Sequence, residues 1–402
     1  MCWSFLTTYD RPLCCNDRSR LATVESLVEH GTYRIDDSPF KKTVDRVPLD
    51  GHFIPTKPPV LSTAMAGEYW LLRHTLGLEL GDKTQMRYVV RILCLSFVGV
   101  PFIFSCVLLR SMLHWYIEAS WARLVTIFAA CFATLAAGFS ITINNHVPAA
   151  ALLMSGFYLA VGLGNAKLKP TPIRFVLAGL VTGLLPTVDL PGMFFSILCW
   201  VYLVWKFPKK TLVWFSIGAV PPLLVHFCLN HAASGSLLPV YLQKHLYDYE
   251  GTYWRTPKGV DALREPKWLY LFHITIGHSG LFSLFPVFLL SAGGVVAAFF
   301  RKSFPLRRET LALGGLVVVW IAFYTFASHN YGGEAYGMRW FIPFMPAFLF
   351  PAAALLDRIH RRWQWVLVGI LLLVSLFSAW ECASHPWNGR RLWTVSIFGE
   401  VV

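Results

Sequence analysis

A chain of 402 residues that is 55% hydrophobic and only 14% charged, with a mean hydropathy of +0.52, falls outside the balance of a soluble globular domain and reads as an integral membrane protein. The net charge of +13 is the kind that nucleic-acid binders carry. Here the basic residues sit in short clusters between long apolar stretches, so the charge reports membrane topology and not a nucleic-acid partner.

In chain order, Met1 to Asn16 is too short and polar for a membrane helix or a cleaved signal peptide. Three origins of this start stay open: a span missing upstream, a stump of a lost first span in the first ten residues with Trp3, Phe5 and Leu6, or translocation without one. Asp17 to His30 then reads as a short amphipathic helix with Leu21, Val24, Leu27 and Val28 on one face and Gly31 as its stop. Asp17, at its start, is either a helix cap or a catalytic carboxylate exposed at the membrane surface.

The stretch DGHFIPTKPPV, Asp50 to Val60, delivers Lys57 between prolines. Proline fixes its own φ and pushes the preceding residue out of the helical region, so Pro55, Pro58 and Pro59 hold Thr56 and Lys57 extended. A connector with a merely solvated lysine is the alternative. Leu61 to Leu80 follows with near-helical apolar spacing, as a second surface helix.

From Tyr88 onward ten apolar stretches occur, near 88–109, 124–143, 147–164, 173–187, 190–205, 211–229, 280–300, 310–328, 340–356 and 363–380. Most have the length of a transmembrane helix; the fourth and fifth are short and form a tilted hairpin around Thr187 to Gly192. The expected fold is an all-α polytopic bundle of about ten transmembrane helices, divided into an outward first-loop region 1–87, a membrane domain 88–381 with an outer loop 230–280, and a short outward tail 382–402. Alternate loops hold fifteen basic residues (among them Lys167, Lys209, Arg301 and Arg361) against three acids, Glu118, Glu309 and Asp357. The intervening short loops hold only Arg339, so the basic loops are expected inside and residues 1–87 outside.

The outward loops carry the polar chemistry. TINNHVP, Thr142 to Pro148, sets Asn144, Asn145 and His146 between apolar helices, either lining a cavity, bonding to a neighbouring loop or merely capping two helices. LQKHLYDYEGTYW, Leu242 to Trp254, suits carbohydrate stacking, but an aromatic belt at the membrane interface is the safer reading. His273 and His278 are five apart, the wrong spacing for a metal pair on one helix face. His278 and Glu334 join Asn145 and His146 as candidate cavity residues. NYGGEAYGMRWFIPFMP, Asn330 to Pro346, places Arg339 at the mouth of the ninth span, as a snorkelling anchor or a phosphate grip. Cys2, Cys14, Cys15 and Cys382 face the oxidising side, where a disulfide is open to them, and no zinc spacing occurs.

Together these residues resemble the GT-C superfamily of polyprenyl-phosphate-sugar-dependent glycosyltransferases, especially the protein mannosyltransferases, the lipid A aminoarabinose transferases and the lipopolysaccharide-core galacturonosyl transferases. Asp17, the helix to His30 and DGHFIPTKPPVL follow the order of the family's acidic residue, surface helix and GxxFxxKPPL loop, and GMRWFIPFMP looks like its GxRxxxPxxP segment. Two features depart: the family's first span is absent, and Asn16 and Arg18 flank Asp17 where many relatives have a second acid.

The resemblance implies sugar transfer from a polyprenyl-phosphate donor to a lipid, glycan or protein acceptor, with inversion, at the outer face of the membrane. In bacteria that is the cytoplasmic membrane. Lys57 and Arg339 would hold the donor phosphate and Asp17 would be the base; no cofactor is called for, the lipid-linked sugar being a substrate, and a metal requirement stays open. The competing readings are a transporter or lipid flippase, and a truncated inactive relative that only binds lipid.

Overall fold

A computed structural model describes residues 7–399, so the expectations for Cys2, Trp3, Phe5 and Leu6 lie outside the described residues. The first region contains α1 (Cys15–Glu29), a hairpin of β1 (Arg46–Leu49) and β2 (His52–Pro55), and α2 (Pro59–Leu76). Apolar helices follow: α3 (Lys83–Tyr116), α4 (Ser120–Phe132), α5 (His146–Gly164), α6 (Pro172–Val188), α7 (Gly192–Lys206) and α8 (Pro208–Ser234). After a long loop come α9 (Lys267–Thr275), α10 (Val287–Phe300), α11 (Arg307–Ala327), α12 (Arg339–Leu356) and α13 (Arg362–Ser384).

Apart from α9, these match the ten stretches read from the sequence, and six of them, α3, α5, α8, α11, α12 and α13, are long and apolar enough to cross a membrane alone. Four are shorter, not two. The second span breaks after Phe132, where the Thr134 hydroxyl accepts the Ala137 N–H and starts a separate turn, Leu135–Phe139. The seventh span breaks at Pro286, which has no N–H to continue the turn Leu281–Leu284 into α10. The first span is longer than expected, 34 residues, because Asp82 caps it by accepting the Thr84 and Gln85 N–H groups.

Helix–helix contacts follow side-chain size. Gly179 and Gly183 lie against the backbone of α8, and Gly218 of α8 lies against that of α6, so a Cβ at any of the three would collide with main chain. At the centre runs α12, the most enclosed span, with 89% of its apolar window buried.

The loops sort into two ends. At one, Ala119 N–H donates to Asp357, Arg358 to Ser303 O, Lys210 to Pro170 O and Asn165 to Glu309, which gathers the basic loops together. At the other, Arg20 meets Asn145, Trp387 meets Thr142 and Trp254 meets Val44 O, which gathers the first region, the long loop and the tail.

The all-α polytopic class holds, and within it two local expectations for the first region need correction. The segment before Lys57 is not an open loop, because Asp50 (φ 49°) and Gly51 (φ 78°) close a two-residue hairpin turn that pairs Val47 with Ile54. Nor is α1 a surface amphipathic helix: Asp17 and every residue from Ser19 to Ser26 are buried, with α2 and β2 packed against it.

Candidate functional site

A cavity of about 460 Å³ opens at the end where the first region, the long loop and the tail meet. Lys57 and Arg339, 282 positions apart in sequence, both line it. The hairpin sets Lys57: Thr56 N–H donates to Asp45 O, Ser19 Oγ donates to the same carbonyl, and Lys57 Nζ pairs with Asp45 Oδ1 at 3.0 Å. Burial lowers the Lys57 pKa and Asp45 opposes that shift.

Arg339 is 8% exposed, and among the described residues it has no ion-pair partner. Its Nε has no hydrogen-bond partner, and its guanidinium carbon lies 4.7 Å from the Trp387 ring centroid. Gly332, at φ 87°, makes room for it: a Cβ there would stand 3.1 Å from Nε. A buried arginine with unspent donors beside an aromatic face is a site awaiting an anion.

Asp17 lies one layer behind the wall formed by Leu13, Cys14, Cys15 and Asn16. It is not the N-cap of α1, which is Cys14; its carboxylate instead accepts the Leu13 N–H at 3.0 Å and the Cys14 thiol at 3.5 Å. Burial pushes its pKa up to about 6, against the pull of those donors and of Arg20 and Arg339. Cys14, Cys15 and Cys382 are free thiols, so no disulfide ties this region among the described residues.

Of the four candidate cavity residues, only Glu334 lines the cavity. Asn145 and His146 spend their side chains inside the protein. His146 Nδ1 lies 2.6 Å from Asp189 Oδ2, and Asn145 donates to Val188 O and accepts from Arg20 Nη2 at 2.6 Å. His278 is stacked on His273 with ring centroids 4.0 Å apart and bonded to Ser279, away from the cavity. The pair comes together because α9 ends at Thr275 and the chain turns back, but no third ligand joins it, and no metal cluster occurs among the described residues.

Two contributors, Arg20 and Asp45, were not singled out from sequence, and two more, Tyr253 and Trp254, take the role that was set second. Arg20, on α1, sits within electrostatic reach of Asp17, Asp45 and Arg339, and its Nη1 is buried without a partner. Asp45 faces the cavity directly. Tyr253 and Trp254, read as interface belt, instead wall the cavity, because Trp254 Nε1 donates to Val44 O and draws the long loop over the hairpin. A one-turn spacing from Asp17 to Arg20 was the available signal for the first.

The cations Lys57, Lys258 and Arg339 and the carboxylates Asp45, Asp261 and Glu334 line the cavity under aromatic walls, with Arg20 and Asp17 behind them. A half-desolvated pocket in which one buried cation, Arg339, has no acidic partner can take an anion there, with carboxylates nearby for proton transfer. The solved structure of ArnT from Cupriavidus metallidurans in the apo state superposes on 91% of this chain with a TM-score of 0.53 at 15% identity. The same protein bound to undecaprenyl phosphate gives 0.55 at 14% identity. The fold is that of ArnT.

ArnT is a lipid A aminoarabinose transferase of the GT-C superfamily, the group that the KPP loop and GMRWFIPFMP segment resemble. This chain spans about 60% of the length of the ArnT chain it matches. No protein-family model and no curated protein sequence matches it.

Proposed function

We propose that the chain is a membrane glycosyltransferase that moves a sugar from a polyprenyl-phosphate donor to a lipid, glycan or protein acceptor at the outer face of the membrane, inverting the anomeric carbon. The observation that carries this reading is the buried, unpaired Arg339 guanidinium facing the same cavity as Lys57. ArnT supports it by fold, and its structure with undecaprenyl phosphate supports the class of donor.

In this reading Lys57 and Arg339 hold the donor phosphate, and Arg20, from behind, adds to the positive field. Breaking the bond from C1 to the phosphate oxygen leaves the electron pair on phosphate, raising its negative charge where those cations lie; such fixed charges give the largest gains where charge develops. Asp17 is the base in this reading: the Leu13–Asn16 wall in front of it must give way for it to take the acceptor hydroxyl's proton as the acceptor oxygen attacks C1 from the opposite face. A pKa of about 6 keeps it mostly ionised at neutral pH while leaving it a competent proton acceptor. Tyr253, Trp254 and Trp387 offer faces for sugar stacking, and Glu334 contacts the acceptor side. Residues 1–87 and the loop 230–280 form the outward cap over the membrane domain 88–381, and the tail 382–402 completes it.

A cavity at one end of the bundle suits transfer at a membrane face better than alternating access, which needs a central site. The deciding experiment supplies radiolabelled polyprenyl-phosphate sugar and a membrane extract as acceptor source. Labelled product, lost in Lys57→Gln, supports the transferase. Movement of the donor across the bilayer without release of free polyprenyl phosphate would make the protein a flippase.

A further inference from the structure

A second cavity, larger than the one described above, lies elsewhere on the bundle. A groove of about 680 Å³ runs along the outside of the bundle between α3, α4, α13 and the turn Leu135–Phe139. Its size lies within the about 300 to 1,000 Å³ of ligand pockets. Its walls are apolar, with Phe102, Phe128, Phe132 and Trp380 along it, and Arg110 is the one charged residue lining it.

Arg110 is placed at one mouth of this groove. It follows directly on the apolar stretch 88–109, and because α3 with its 34 residues is longer than the membrane core, Arg110 stands at headgroup depth and the last turns of α3 run beyond it. Among the described residues it makes no hydrogen bond, ion pair or aromatic contact, and no acid lines the groove. An exposed, unpaired cation at headgroup depth beside an apolar groove is matched by a lipid phosphate. The end of α3 that it approaches is the end that gathers the basic loops, where Arg123 bonds to Ile117 O.

We propose that this groove binds one anionic phospholipid, with its phosphate on Arg110 and an acyl chain lying along the groove toward Trp380. The charge selects an anionic headgroup over a zwitterionic one, because the groove offers no carboxylate to receive an ammonium. The polyprenyl donor is a different ligand: its phosphate belongs in the cavity at the opposite end of the bundle, beyond reach of Arg110. This site is therefore independent of the proposed transferase activity.

The test reconstitutes the full chain in phosphatidylcholine vesicles and substitutes part of the lipid by phosphatidylglycerol brominated near the acyl-chain ends. Bromine quenches tryptophan fluorescence on contact, and subtracting the Trp380→Phe variant isolates the groove. The Trp380 component should be quenched several-fold more by brominated phosphatidylglycerol than by equally brominated phosphatidylcholine. Arg110→Gln should abolish that preference and Arg110→Lys should keep it. Equal quenching by the two lipids in the unsubstituted protein overturns the proposal even if Arg110→Gln fails to fold. A preference that persists in Arg110→Gln also overturns it, as does the absence of any quenching, which would mean that protein fills the groove. Displacement of the brominated lipid by polyprenyl phosphate, equally in the unsubstituted protein and in Arg110→Gln, would assign the groove to the donor's chain and overturn it likewise.

Discussion

The Lys57 ammonium sits 3.0 Å from the Asp45 carboxylate on the wall of a cavity in which Arg339 has no acidic partner. One cation is occupied and the other is waiting, so an incoming phosphate must compete with Asp45 for Lys57. Asp45→Asn should therefore tighten polyprenyl phosphate binding about tenfold, some 1.4 kcal/mol, while Lys57→Gln should weaken it by about tenfold or more. Calorimetric titration checks both. Weaker binding by Asp45→Asn would mean that Asp45 orients Lys57 for the phosphate and does not compete with it.

Asp17 makes a pH prediction whose sign follows from burial. Its pKa is about 6 in the folded protein against 3.8 for a free side-chain carboxyl, so between those values the folded state holds a proton that the unfolded chain releases. Stability contributed by this group is full below about pH 4, falls as pH rises through 6, and stays low above. Asp17→Asn should be more stable than the parent at pH 7.5 by about 1–2 kcal/mol, after allowing for the lost acceptor, with the gain vanishing below about pH 4. The same variant should bind donor and transfer no sugar. Thermal unfolding across pH, alongside the transfer assay, reads both; normal turnover would reduce Asp17 to a structural acceptor for Leu13 and Cys14.

Asn145 works as a clamp. Its Oδ1 accepts from Arg20 Nη2 at 2.6 Å, and its Nδ2 is held by Val188 O at 3.1 Å and Asp189. Asn145→Ala leaves a buried guanidinium with a second unmet donor, which should cost about 1–3 kcal/mol of stability. If Arg20 adds to the field at the phosphate, donor affinity should fall several-fold as well. A loss of stability with unchanged affinity would confine Arg20 to a structural role.

How much of this was legible in the sequence depends on distance along the chain. The ten apolar helices and the sorting of basic loops to one end were readable, because span length and charge alternation are local signals. The hairpin was also written there, in Asp50–Gly51, but the prolines on either side drew the reading toward an open loop. Asp45 and Arg20 were hidden for another reason: nothing local marks them, and only the folding of β2 and α1 against one another brings them to Lys57 and Arg339. Asn145 and His146 misled because a polar residue between apolar helices can satisfy itself on a neighbouring loop, here through Asp189, as well as line a cavity.

Topology supplies a prediction independent of any chemistry. Single cysteines introduced at Glu250 and at Lys209 in a background stripped of reactive thiols should label from opposite sides of the membrane, with Glu250 outside. The two positions lie at opposite ends of the bundle: α8 runs between their loops, and Lys210 bonds to Pro170 O among the basic loops while Tyr249 bonds to Arg46 O. Labelling of both by a membrane-impermeant maleimide in intact cells would contradict the arrangement.

The most demanding prediction concerns Lys57 and Arg339 as a pair. They face one cavity although they repel each other, and an anion between them would turn that repulsion into joint attraction. Lys57→Gln and Arg339→Gln should each weaken polyprenyl phosphate binding, and the double variant should lose less than the sum, by about 0.5–3 kcal/mol, because the phosphate cannot be gripped half by each once either is gone. The cycle needs a control for folding, since Arg339 is buried on Trp387; Trp387→Phe should keep the stack and lower affinity only slightly. Strictly additive losses would mean that the two cations serve separate ligands, with Arg339 held in place by Trp387 alone.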